Sequence, residues 1–193
     1  MKFKKGTDRV VVLFPFLRIA IKFPIIRFWL AVRLLYRDIK SGKWERLSND
    51  WSWPIEVRGG FKGLLFRGLA ANWGEFQFYW QTRNPFVQPT YFSLLGLFNV
   101  QRADEPCLLK DEDLWCQLYE LTKGQVFDDS HHFVDPRNFC FSNGKLRMLD
   151  YGSRKSRGVI ARHGAKIVEL FNPAYCWEEE KKKLKAKREQ EAN

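Results

Sequence analysis

The chain has 193 residues, 45% hydrophobic and 16% aromatic, and carries 33 Lys+Arg against 22 Asp+Glu for a formal net charge of +11. That length and aromatic content build a full core without staples, which excludes general disorder. The basic excess favours anionic partners (nucleotide phosphates, nucleic acid, an acidic protein or an anionic membrane) without choosing among them.

The elements begin with Asp8 to Phe14, a strand by its β-branched content. A tight turn at Pro15-Phe16 leads to Leu17–Phe23, whose alternation puts Arg18, Ala20 and Lys22 on one face and Leu17, Ile19, Ile21 and Phe23 on the other. Pro24 suits the first position of a helix running through Ile25–Ile39 and ending near Gly42. The expectation there is an amphipathic helix packed on the sheet, with its arginines solvated. Arg18, Lys22, Arg27 and Arg33 interrupt the apolar stretch from Val10 to Tyr36, so no run reaches the ~18 uncharged residues of a spanning helix. No apolar stretch ends in small residues as an h-region does, so a signal peptide is not expected.

Lys43 to Gly63 is turn-rich, with Trp44, Trp51 and Trp53 expected to close the core and Ile55–Arg58 a short strand. A helix is expected from Ala70 to Arg83, ended before Asn84-Pro85. Tyr91 to Val100 suggests one bulged strand or a strand pair. Glu112 to Lys123 predicts a helix stopped by Gly124. Phe139–Phe141 and Lys145–Leu149 flank Asn143-Gly144, a strong hairpin signal. Ser153–Gly158 looks like a basic loop, Ala165–Phe171 a short helix, and Glu178–Asn193 a solvated charged tail. The class is α+β, one domain over 1–177 and a tail over 178–193. The four cysteines, Cys107, Cys116, Cys140 and Cys176, form no C-x-x-C pair. They fit buried thiols of a cytoplasmic protein rather than a zinc site.

The chemistry concentrates between His131 and Gly152. Asn138 precedes one hairpin strand and Asp150 ends the other, so antiparallel pairing brings the two side by side. An amide oxygen and a carboxylate there suit a hard cation such as Mg²⁺. Asn138, the hairpin and Asp150-Tyr151-Gly152 resemble the protein-kinase-like superfamily, which sets a metal-binding Asn before a hairpin and Asp-Phe-Gly after it. His131 falls where that family has the His of its catalytic loop. Lys22, in Ile19-Ala20-Ile21-Lys22, resembles the strand lysine that holds the α/β-phosphates of ATP. Glu75 resembles the helix carboxylate that orients this lysine.

The resemblance implies a reduced two-lobed fold, with an antiparallel N-terminal sheet over about 1–101 and a small helical C-lobe over about 102–177. It implies a protein that binds ATP with Mg²⁺, as phosphotransferase or pseudokinase. Phe133 stands at the position of the family's catalytic Asp, and no G-x-G-x-x-G loop is present. Asp135 is therefore the first candidate base, Asp129 the second and His131 a further catalytic candidate. On residues alone, Lys22 also suits an edge lysine, Glu75 a surface carboxylate and Asn138 a loop brace. The alternative function is a non-enzymatic basic protein, docking nucleic acid or an acidic partner through Arg27, Arg33, Arg37, Arg154, Lys155, Arg157 and the tail over 178–193.

Overall fold

The computed structural model describes residues 1–52, 60–178 and 181–182. It is a mixed α+β structure whose chain divides into two compact units. The first takes residues 1–83, 88–104 and 151–154; the second takes 84–87, 105–150 and the chain from 155 onward.

The first unit is built on an antiparallel five-stranded sheet. Its strands are β1 (Lys2–Lys5), β2 (Arg9–Phe14), β3 (Ile19–Pro24), β4 (Thr90–Ser93) and β5 (Asn99–Arg102), in the order β1-β2-β3-β5-β4. β3 is therefore the central strand. Its register against β2 pairs Val11 with Lys22 and Leu13 with Ala20. Ala20 and Lys22 are both buried, so the face expected from alternation is the inward one. The opening is a three-strand meander rather than a lone hairpin. β1 has the sequence KFKK, exposed throughout, and lysines suit a sheet edge that must not recruit another strand.

Helices α1 (Phe28–Lys40), α2 (Trp44–Ser52) and α3 (Phe61–Thr82) complete this unit. Pro24 is the last residue of β3 and not the start of α1. The stretch expected to be turn-rich contains the helix α2, and its Trp44 and Trp51 are 63% and 64% exposed, so they do not close the core. Trp51 stacks instead on Phe61. The strand expected at Ile55–Arg58, and Trp53, lie outside the described residues. α3 starts nine residues before the expected Ala70. Only Ala31 and Asp38 of α1 are buried, so the expected core-facing apolar stripe is largely turned outward.

Tyr91–Val100 proves to be a strand pair, β4 and β5, turning at Leu95-Gly96 with φ of +48° and +80°. A Cβ on Gly96 would lie 2.3 Å from the Leu69 carbonyl oxygen, a backbone atom with little room to retreat. Gly96→Ala combines that collision with left-handed strain. It is expected to destabilise the protein by roughly 2–4 kcal/mol, read from urea melts against the parent.

The second unit holds α4 (Asp111–Leu121), the short α5 (Ser130–Phe133) and a three-stranded antiparallel sheet of β6 (Glu105–Pro106), β7 (Phe139–Ser142) and β8 (Lys145–Met148). Asn143 and Gly144 turn the β7–β8 hairpin with φ of +52° and +72°, the left-handed pair that a two-residue hairpin loop requires. α6 (Arg154–Leu170) follows. The basic Ser153–Gly158 segment is thus mostly helical, and the short helix expected at Ala165 is its C-terminal part. Ser156, Val159, Ile160, Gly164 and Ile167 are its buried residues, at helical spacing. Leu114, Leu118, Phe133, Phe139 and Met148 join Ile160 and Ile167 as fully buried core. All four cysteines are free thiols, Cys107 and Cys140 buried.

Candidate functional site

Two groups of polar side chains stand out, one in each unit. In the first, Lys22 on the central strand β3 and Glu75 on α3 are both buried and form an ion pair, Nζ to Oε2 at 2.8 Å. This rules out the edge-lysine and surface-carboxylate readings. Arg9 on β2 reaches the same carboxylate from the other oxygen, Nη1 to Oε1 at 2.7 Å. Its side chain also lies 3.4 Å from Asn72 Oδ1. The backbone N–H of Tyr151 donates to Glu75 Oε1 at 3.2 Å. Asn72 ties the group to the sheet by donating to the carbonyls of Lys22 and Gly96. The carboxylate of Glu75 thus meets two cationic side chains and a backbone amide, so its buried oxygens are supplied with charge-assisted hydrogen bonds.

Sequence reasoning missed Arg9. The signal was there: Arg9 is two residues from Val11, the cross-strand partner of Lys22, so alternation carries it to the lysine's face.

Tyr151 anchors the first unit where the chain returns to it. Its hydroxyl donates to the Gln88 carbonyl at 2.8 Å and lies 2.7 Å from Thr90 Oγ1, which therefore supplies the proton of that second bond. Burial and the nearby Glu75 carboxylate push the phenol far above its ordinary pKa. It remains a neutral structural hydroxyl. Gly152 beside it is needed for close approach, since a Cβ there would lie 2.8 Å from Ala71 Cβ.

In the second unit the hairpin does what its sequence implies. The Leu149 N–H donates to the Asn138 carbonyl at 2.7 Å, which places the residue before β7 beside the residue before Asp150. The Asn138 side-chain amide donates to the His132 carbonyl at 3.0 Å. Asn138 thus braces the loop with its nitrogen, and its oxygen is the end suited to a cation. Asn138 and Asp150 are oxygen donors of the kind Mg²⁺ takes, and both are half-buried.

The candidate bases fare differently. Asp135 caps the turn at Pro136–Asn138, accepting from the Arg137 N–H, and makes a two-pronged ion pair with the Arg137 guanidinium. That hydrogen bonding holds its carboxyl below the usual carboxylate range. Asp129 is buried, and its Oδ2 accepts from both the N–H and the hydroxyl of Ser156 at the start of α6. Its Oδ1 lies 3.0 Å from His132 Nδ1 and 3.1 Å from His131 Nδ1. These three side chains offer ligand atoms within 4.8 Å of one another. An imidazole-rich set of that kind suits a borderline cation better than Mg²⁺. Phe133, which the kinase-like resemblance would set in the place of a catalytic Asp, is fully buried beside Phe139.

No family model matches the chain, and no curated protein matches it as a relative. The side-chain geometry therefore carries the functional reading. Lys22 and Glu75 are brought together, and Asn138 and Asp150 share one end of a hairpin. Asp135 and Asp129 are each held by local partners. Among the described residues no helix is long and apolar enough to cross a membrane.

Proposed function

We propose that this protein binds a magnesium nucleotide in the manner of a kinase-like protein, with little or no phosphoryl transfer. The observation that carries the reading is the buried Lys22–Glu75 ion pair on the central strand, at 2.8 Å. A lysine fixed this way is a preset cation for a nucleotide's α/β-phosphates. Asn138 and Asp150 are the residues that would hold Mg²⁺, and the ion would supply neutralisation of phosphate charge. The chain's own residues supply binding and orientation. They are poor in general-base capacity: Phe133 lies where the family's acid stands, and the carboxyl of Asp135 is held low by Arg137, which weakens it as a proton acceptor near neutrality.

Thermal melts and calorimetric titration with ATP test this, with and without Mg²⁺. Millimolar Mg·ATP is expected to raise Tm, because a ligand that binds only the folded state stabilises it. Asp150→Ala is expected to weaken Mg·ATP binding at least about ten-fold while the ligand-free melt stays near the parent's, since a charged oxygen ligand is lost from a half-buried position. No Mg²⁺-dependent shift in the parent, or unchanged affinity in the variant, would overturn the reading.

A further inference from the structure

We propose that α1 docks on anionic lipid, lying in the headgroup region of a bilayer with its exposed aromatic face inserted. The inference is independent of the nucleotide reading, since none of its residues belongs to that site. α1 shows the protein one narrow face: Ala31 and Asp38 are buried, and Leu34 and Leu35 are half-buried. At 100° per residue these four cluster on one side of the wheel. The adjoining side carries Phe28, Val32 and Ile39 in one row and Trp29 with Tyr36 in the next. Their exposures are 55%, 41%, 43%, 81% and 65%. Isolated exposed apolar residues are ordinary, but five in adjacent rows of one helix form a continuous patch of the kind that marks an interaction surface.

The border of the patch identifies the occupant. Arg33, Arg37 and Lys40 follow next around the wheel, all exposed, and Arg27 precedes the helix. The only acid in α1 is Asp38, which is buried beside Arg37 at 3.3 Å and Arg46 at 3.6 Å. The outward surface therefore presents aromatic and aliphatic groups edged by cations, with no exposed anion. An anionic bilayer complements both parts: its headgroups meet the arginines, and its upper acyl region takes Val32, Ile39 and the rings. Trp and Tyr favour that boundary because one end of each ring is polar. A second copy of the chain would set one basic border against another. Nucleic acid would meet aliphatic side chains where it needs cations. At about 20 Å for 13 residues, α1 lies on a membrane and does not cross it.

The test is co-sedimentation of the full chain with vesicles of phosphatidylcholine alone or mixed with phosphatidylglycerol. Binding is expected only to the mixed vesicles. Two independent pairs of exposed substitutions probe the two parts of the surface, Trp29→Ser with Tyr36→Ser and Arg33→Glu with Lys40→Glu. Each pair is expected to lower partitioning roughly ten-fold or more, while circular dichroism melts stay near the parent's. The proposal is overturned by absence of binding to the anionic vesicles, or by binding that neither pair alters. It is also overturned if sedimentation equilibrium shows a dimer that the aromatic pair dissociates, or if the basic pair abolishes tight binding to duplex nucleic acid while vesicle binding persists.

Discussion

Glu75→Ala is expected to cost roughly 3–5 kcal/mol of stability, the range for removing one member of a buried charge network. Glu75 is fully buried and is the shared counter-ion of Arg9 at 2.7 Å and Lys22 at 2.8 Å. Its removal takes that carboxylate from two cations at once and deprives the Tyr151 N–H of its acceptor. Lys22→Met is expected to cost clearly less, because Glu75 keeps Arg9 as a partner and an unbranched apolar side chain fills the lysine's path. Urea denaturation of parent and both variants checks the order as well as the size. A loss under about 1 kcal/mol for Glu75→Ala would mean that water reaches the triad and replaces the carboxylate.

Phe133→Asp is expected to unfold the second unit rather than to restore an active carboxylate. Resemblance alone suggests that the substitution returns an acid to its customary place. The structure assigns the position to the core, fully buried against Phe139. Losing a buried phenyl costs about 3–5 kcal/mol, and the carboxylate adds its own desolvation cost. That sum approaches the whole stability of an ordinary domain. Phe133→Leu, which keeps most of the apolar volume, is expected to lose only about 1–2 kcal/mol. Circular dichroism melts of both variants decide. A Phe133→Asp protein that melts like the parent and hydrolyses ATP faster would show that the side chain reaches solvent.

The sequence made legible those features in which local chemistry and tertiary packing agree. The Asn-Gly hairpin was readable because few residues other than that pair turn two strands through left-handed φ at so little strain. Lys22 was readable from alternation along β3, and the register then placed it inward. Where the two levels diverge, the reading failed. β1 has no apolar alternation because both of its faces are exposed. α6 was obscured by Gly158 and Gly164, which count against a helix locally. Packing favours the latter: a Cβ on Gly164 would lie 2.3 Å from Asn84 Oδ1, which accepts from the Phe86 N–H. α1 misled in the opposite direction. Its amphipathic spacing is real, but spacing does not say whether an apolar face meets the protein's own core or something outside it. Asp135 shows the same limit at the site, since a carboxylate two residues before an arginine looks available until the turn folds the two together.

The helix that carries Glu75 has a further consequence for how the protein comes to be folded. α3 is 22 residues long yet contains Gly63, Gly68 and Gly74, each costing about 1 kcal/mol of intrinsic helix propensity against Ala. Gly68 has no alternative, since a Cβ there would lie 2.6 Å from the Asp8 carbonyl and 2.8 Å from Pro24 Cβ. Cut out as a peptide, α3 should be mostly coil, and its packing against the sheet and α1 makes it a helix. The strands that do so come from both sides of it in the chain, and the amide that completes the triad belongs to Tyr151. A chain leaving the ribosome thus reaches residue 83 with a sheet missing two strands and a helix unable to stand alone. The first unit cannot close until the β7–β8 hairpin of the second has been synthesised. Folding is therefore governed by long-range closure, and fragments ending before Tyr151 should be open, protease-sensitive and in need of chaperone protection.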